Sequence, residues 1–476
     1  MKKLSIIFVL SALIVSGCRE NYLAEKSFFQ ANHVLRSIKP ADLEADPIKS
    51  LDPAIQAFQK VAEQYPTTQK AADSLFTIAK LRVKQKKYED AIQALRKVIP
   101  NFTGRGELVP NARFFIAQLH EVQGFRQKAE KAYWETAIYH PLHARGLYAP
   151  LYIVLHYKQV KDKTGQAEAY QKAVEHYKRM LDQVGPIEAS AGLRNSLALT
   201  YLAQGNLGEA RTEWLAVAEQ FPKSAYAPMA LLTIAELSWR DKEFEQSFTD
   251  YNYFFERYPR HALAGKTAVH VGLLYAGRKE FAKAREWYDK AITQYFQKDL
   301  SGVADIKLLI GKSYQDEEFW EQAEKVYSEI ETKYPITAAA LQVPFMKFMH
   351  YDKIGQPEIG NKVLDEAIVH YKKLMATENR RSKMARYAEQ FTISAYAQKK
   401  DWNQLLAGVD QALQKETVKE KRGRWLFLKA LITENNLKDR ERALTLYQDF
   451  LAQYPGHPLF NSAKNHQEIL ARPSIS

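Results

Sequence analysis

Seven times along this 476-residue chain a small residue is followed four positions later by an aromatic and twelve positions later by proline or another aromatic. The runs are Ala54/Phe58/Pro66, Ala129/Tyr133/Pro141, Ala210/Trp214/Pro222, Ser247/Tyr251/Pro259, Ala284/Tyr288/Phe296, Ala323/Tyr327/Pro335 and Ala443/Tyr447/Pro455. Those starting at 210, 247, 284 and 323 are separated by 37, 37 and 39 residues. A register of that length marks stacked copies of one supersecondary unit, each unable to bury its apolar face alone. Any fold assigned to the chain must respect it.

Twelve residues before the small position stands another small residue: Ala117, Ala198, Ala235, Gly272 or Gly311. An apolar residue precedes each (Ile116, Leu197, Ile234, Val271, Ile310), and Tyr201, Tyr275 and Tyr314 follow three positions on. Ile234, Leu237 and Phe244 with Phe248, Tyr251 and Phe255 recur on a helical period, giving each half of a copy one apolar stripe. The stripes meet only if the chain turns between them. Ala235 and Ser247 let the paired helices come close, and the aromatic fills the space beside them. Gly124, Gly205 and the polar stretches 240–242 and 316–318 supply turns within copies. Tyr65-Pro66-Thr67-Thr68, Phe221-Pro222-Lys223-Ser224 and Tyr334-Pro335-Ile336-Thr337 end one helix and offer a hydroxyl cap to the next. Tyr258-Pro259-Arg260-His261 and Tyr454-Pro455-Gly456-His457 place histidine at that point.

The order apolar–small–x–x–Tyr, small–x–x–x–aromatic, proline resembles the tetratricopeptide repeat, a helix–turn–helix unit. Three further stretches are irregular: Ala91/Leu95, followed by a loop over 100–110; Ala173/Tyr177, preceded by extra residues at 161–166; and 341–425, read as two loosely matching helix pairs. Counting these, the expected fold is all-α, a superhelical solenoid of roughly ten helix pairs. No strand alternation or Asn-Gly hairpin signal competes with it. The expected organisation is 1–17 signal peptide, 18–53 N-terminal helix and a polar insertion between Pro40 and Pro53, 54–340 regular repeats, 341–425 degenerate basic repeats, and 426–476 final repeat and cap.

Lys2 and Lys3 precede the apolar run Leu4–Val15 and then Ser16-Gly17-Cys18, the composition of a secretory signal. The run is too short to span a bilayer, which takes about 20 apolar residues. Leu13–Cys18 resembles the lipobox of bacterial lipoproteins, and that resemblance implies a thioether-linked diacylglycerol on Cys18 and cleavage before it. Cys18 is the only cysteine, which suits an exported chain whose one sulfur is acylated. With each buried methylene contributing about 0.8 kcal/mol, two or three long chains anchor permanently. Arg19 in place of aspartate implies the outer membrane, by the sorting rule of enteric lipoproteins. The expected location is the bacterial outer membrane, lipid-anchored and facing the periplasm.

The net charge is +13, and the positive excess concentrates between Tyr371 and Arg424, where 13 Lys/Arg face 6 Asp/Glu. Arg380, Arg381, Lys383, Lys419, Lys421, Arg422 and Arg424 form a candidate patch for an acidic protein, anionic lipid or acidic glycan, or simply a solvated stretch. Nucleic acid is not expected, because no nucleic-acid module is visible. No phosphate- or dinucleotide-binding glycine motif, nucleophile elbow or metal-ligand set occurs, so neither catalysis nor a metal or other cofactor is expected. His140 and His143 read as cap or surface residues. Soluble lytic transglycosylases join an α-superhelix to a glycan-cleaving domain, but here the repeats run to Pro455.

In tetratricopeptide proteins the first helix of each pair lines the groove. By register that resemblance implies Gln118, Asn195, Glu236, Trp239 and Lys312 as lining, with packing between neighbours as the other use of Trp239. The lipobox with Tyr-Pro-x-Ser/Thr junctions resembles the lipoprotein subunit of the outer-membrane β-barrel assembly machine and the periplasmic Tol–Pal coordinator. Both imply a membrane-tethered, non-catalytic adaptor for peptides or partner proteins in envelope assembly. The alternative is a nutrient-capture lipoprotein similar to the starch-binding outer-membrane family.

Overall fold

The computed structural model describes residues 2–104, 106–377 and 382–472, with side chains from Arg19 onward. These residues form 24 α-helices and one short π-helix, and no strand occurs among them. The chain divides into two compact units, residues 1–259 and 260–476. Each is a succession of antiparallel helix hairpins in which consecutive helices pack together.

Among the described residues, ten hairpins turn through one residue with positive φ: Lys86, Gly124, Lys161, Gly205, Lys242, Lys279, Glu318, Gly355, Lys400 and Lys438. At the first nine, that residue's N–H bonds the carbonyl three back, and the next N–H bonds the carbonyl five back. This closure satisfies the orphan carbonyls of the first helix and reverses the chain in two residues. The tenth, at Lys438, closes through Asp439 N–H to Thr433 O. An additional N-terminal pair, helices Lys2–Arg36 and Pro47–Gln64, packs Phe28 on Phe58 at 5.5 Å. The expected insertion ending at Pro53 is shorter than the sequence suggests. Pro53 lies inside the second helix, which Asp46 caps. One missing backbone bond is tolerated because Leu51, Ala54, Ile55 and Phe58 bury that helix's inner face.

Small-residue packing follows the sequence reading. Ser247 Oγ donates to Ala235 O (2.8 Å), and both residues are fully buried. A Cβ added to Gly272 or Gly311 would stand 2.4 Å from the ring of Tyr288 or Tyr327, so the aromatic rests directly on the glycine backbone. Thr68, Ser224 and Thr337 cap the helices after their Tyr/Phe-Pro junctions, each accepting from the N–H three residues on (3.3, 3.2 and 3.2 Å). His143, His261 and His457 accept through Nδ1 from the N–H two residues on (3.1, 3.3 and 3.1 Å). Where Phe296 replaces the junction proline, nothing stops the helix. It runs on as the π-turn Ile292–Phe296, seated against Gly265 and Gly302, in the copy whose spacing to the next is 39 instead of 37.

The extra residues expected in the turn at 161–166 are elsewhere: Lys161 closes an ordinary turn, and the length sits in helix Lys163–Val184. Helix Pro357–Thr377 is extended in the same way. Both long helices place their aromatic sixteen residues after the left-handed turn residue (Tyr177, Tyr371). In both, the preceding helix carries an internal proline, Pro150 or Pro344. The buried tyrosine donates to the carbonyl three residues before that proline, Leu147 O (2.6 Å) or Leu341 O (2.5 Å). Tyr177 Oη also accepts from Leu151 N (3.2 Å), so the hydroxyl completes a helix ladder that proline disturbs.

Candidate functional site

The second-helix aromatic does more than fill space. Tyr133, Trp214, Tyr251, Tyr327 and Tyr447 each donate to an acceptor on the first helix of their hairpin. The acceptors are Glu121 (2.9 Å), Asn195 (3.1 Å), Glu236 (2.7 Å), Gln315 (2.7 Å) and Glu434 (2.7 Å). Burial, with the adjoining carboxylates, raises the Tyr133, Tyr251 and Tyr447 phenols above their usual pKa, so they remain donors. Asn195 and Glu236, two of the groove positions, are therefore engaged inside their repeat. Trp239 packs on Phe244 and Phe248 (4.7 and 5.9 Å) within its hairpin, its alternative use. Gln118 and Lys312 are exposed, the latter paired with Asp316 at 2.6 Å.

Two surfaces stand out. In the first unit a pocket of about 170 Å³ opens between the turn at Gly124 and helix Ala144–Gln159, walled by Tyr133, Tyr152 and Tyr157. At one side Glu121 accepts from Tyr133 and Tyr152 (2.9 and 3.0 Å) and meets His156 Nδ1 at 2.7 Å. Phe114 and Tyr148 extend the aromatic cluster. Exposed apolar side chains crowd the same two hairpins: Val122, Phe125, Ile138, Tyr139, Leu142 and Val160. Such crowding is uncommon on a surface with no partner.

In the second unit, helices Lys383–Gln398, Trp402–Lys415 and Lys419–Asn435 enclose an open groove of about 620 Å³. Arg386, Glu389, Gln390 and Ile393 line one wall; Lys421, Arg424, Trp425 and Leu428 line the other. Both sets follow i, i+3, i+4, i+7, a single helical face. Ala412, Lys415 and Glu416 contribute from between them. Of the sequence-derived patch, Lys421 and Arg424 reach this groove. Lys383, Lys419 and Arg422 are exposed outside its lining, with Lys383 over the Tyr387 ring. Arg380, Arg381 and the Cys18 side chain lie outside the described residues. Arg386, Lys415 and Trp425 were missed by reading charge runs; matched helical spacing on two successive first helices finds Arg386 and Trp425, while Lys415, at the end of the helix between them, carries no such signal. No group of three or more potential metal ligands occurs among the described residues, and none of their helices is long and apolar enough to cross a membrane.

With this geometry in view, similarity to known proteins adds a consistent class. Tetratricopeptide-repeat family models match residues 73–102, 162–228 and 426–457. The first falls on an irregular hairpin, and the second joins the irregular Ala173/Tyr177 copy to the regular one at Ala210. The fold is an all-α solenoid of tetratricopeptide-repeat hairpins, and the matched repeats support a scaffold for protein interaction. No curated protein matches the sequence. Among solved structures, yeast Tom70 is 12% identical, with 95% of this chain and 96% of that one covered at a TM-score of 0.34. A tetratricopeptide repeat protein from Parabacteroides merdae is 16% identical over 60% and 99% (TM-score 0.30). Naa15/Naa10 bound to HypK gives 15% over 94% and 69% (TM-score 0.35). None of these scores reaches 0.5, so the class rests on this chain's own hairpins and matched segments.

Proposed function

We propose that the protein is a lipid-anchored, non-catalytic adaptor that holds partner proteins or peptides in the bacterial periplasm, at the outer membrane, during envelope or outer-membrane-protein assembly. The observation that carries the adaptor reading is the aromatic pocket of hairpins 108–139 and 144–184, with Val122, Phe125 and Val160 exposed at the turns beside it and Ile138, Tyr139 and Leu142 exposed at the other end of the first hairpin. Exposed aromatic and aliphatic groups beside a preformed pocket supply the anchors that dominate binding energy in protein interfaces. The anchor itself is supported by the sequence Leu13–Cys18 and by the absence of any second cysteine.

Two experiments test the parts separately. Cys18→Ser is expected to move the chain from the membrane pellet to the soluble fraction with unchanged helical content; a variant that still sediments with membranes overturns the anchor. Phe125→Ser combined with Tyr139→Ser is expected to lose partners recovered by cross-linking from detergent-solubilised membranes, while the melting temperature holds. Recovery of assembly or division proteins supports the adaptor. Oligosaccharide binding by the purified chain, with no protein partner recovered, overturns it in favour of nutrient capture.

A further inference from the structure

We infer that the groove between helices Lys383–Gln398 and Lys419–Asn435 binds an acidic peptide segment carrying an apolar anchor residue. This deepens the adaptor reading by assigning one partner chemistry to one site. Arg386, Lys415, Lys421 and Arg424 supply four cations against the carboxylates of Glu389 and Glu416. The carboxylates are already used locally: Lys415 Nζ donates to Glu389 (2.7 Å), and Glu416 Oε1 accepts from Val418 N (2.9 Å). Arg424 pairs with Glu420 at 2.6 Å, an exposed contact that an incoming carboxylate can replace cheaply. Arg386 and Lys421 have no side-chain partner among the described residues. The site therefore offers unsatisfied positive charge.

Ile393, Leu428 and Ala412 give the same groove an apolar component, with Trp425 beside them. That combination separates a peptide from the other anionic candidates. A flat lipid surface meets the exposed cations but cannot follow the groove to its apolar side chains. A polyanion without apolar groups leaves those side chains unused. A peptide can place carboxylates on the cations and one aliphatic or aromatic side chain between the walls.

The test uses the full chain and an array of short Glu/Asp-rich peptides in which a single Leu, Ile or Phe is moved through each position, beside matched arrays with Lys for Glu. Retained spots are remeasured by fluorescence anisotropy, with phosphatidylglycerol vesicles as the lipid probe. Expected are acidic spots that require the apolar residue and weaken as salt rises. Arg386→Glu with Lys421→Glu should weaken binding by roughly tenfold or more, whereas Lys60→Glu, an exposed reversal in the other unit, should not. Unchanged melting of the double variant excludes misfolding. An array with no acidic preference, equal affinity of the double variant, or binding to the vesicles without binding to peptides overturns the inference. Each of these leaves the Phe125/Tyr139 experiment on the adaptor untouched, so the two readings fail separately.

Discussion

Adding one methyl group to glycine should have opposite effects at two sites in the same unit. At Gly311 an ideal Cβ falls 2.4 Å from Tyr327 Cε1, 2.8 Å from Cδ1 and 3.1 Å from Cζ. The ring cannot swing aside easily: Tyr327 is fully buried, and its hydroxyl is held by Gln315 Oε1 at 2.7 Å. Forcing an extra carbon into such a core costs about 1–3 kcal/mol. Alanine's better helix propensity returns about 1 kcal/mol. Gly311→Ala should therefore destabilise by up to about 2 kcal/mol. Gly277, at the end of helix Ala264–Gly277, has nothing within 4 Å of its ideal Cβ. Only the propensity gain remains there, and Gly277→Ala should stabilise by about 0.5–1 kcal/mol. Tyr327→Phe retains the offending ring atoms and should not relieve Gly311→Ala. Tyr327→Leu removes them, so that pair should show a favourable coupling of about 0.5–3 kcal/mol. Urea titration by circular dichroism measures the shifts, and hydrogen exchange in helices Leu300–Asp316 and Trp320–Lys333 localises them. If both alanines raise the midpoint, the ring does not rest on the glycine backbone and the packing account of the repeat is wrong.

Three other outcomes follow from particular contacts. His176 is buried, its pKa pushed down to about 4 by desolvation, so the fold holds the neutral ring while the unfolded chain takes up a proton near 6.5. Its contribution is complete above about pH 6.5 and falls by roughly 3 kcal/mol as pH drops toward 4; His176→Phe should flatten that slope, and an unaltered pH–stability curve rules the ring out as its source. Tyr177→Phe and Tyr371→Phe each strip a partner from a buried helix carbonyl and should cost about 1–3 kcal/mol by denaturant titration, with changes under half a kilocalorie contradicting the ladder-completing role. Lys86→Gly and Lys400→Gly release side chains from φ values of 60° and 59° and should raise stability by about 1 kcal/mol each, while lowered melting temperatures would argue against left-handed turns at those points.

The central hairpins were legible because their signals are local and repeated. Small–aromatic pairs, Tyr/Phe-Pro ends and hydroxyl caps all lie within a dozen residues of one another. The turn residues were half hidden: Gly124 and Gly205 declare a left-handed conformation, while Lys86, Lys161, Lys279 and Lys400 adopt it without a glycine to advertise it. The long hairpins were obscured because an elongated second helix shifts the aromatic along the copy. Leu147–Pro150–Tyr177 and Leu341–Pro344–Tyr371 nevertheless repeat the same two spacings, a signal visible only to a reader comparing copies that are not adjacent. Groove positions were the least legible. Register places Asn195 and Glu236 on first helices, but only coordinates reveal that Trp214 and Tyr251 already occupy their acceptors.

The same hydrogen bond suggests where binding surface can arise. Nine residues after each left-handed turn residue the second helix carries an aromatic in seven hairpins, and Leu95, Leu364 or Val409 in the others. Leu364 shares its helix with the displaced Tyr371, so of the ten hairpins 69–101 and 383–415 alone lack an inward aromatic donor, hydroxyl or indole N–H, at either position. Both border open charged grooves, one containing Arg96, Arg113, Lys128 and Lys131, the other Arg386, Lys415, Lys421 and Arg424. An inward tyrosine needs an acceptor, and a repeat that has one commits a polar first-helix side chain to its own interior. Leu95 and Val409 make no such demand, leaving neighbouring polar and charged groups free to face outward. The irregular copies, weakest as repeat motifs, are thus where this architecture can afford to diversify its surface. Installing tyrosine at Val409 tests the point: it should overpack a fully buried site, destabilising by about 1–3 kcal/mol, and perturb the 383–435 groove before it disturbs the first unit. Hydrogen exchange that rises equally in both units would show that the hairpins do not respond locally.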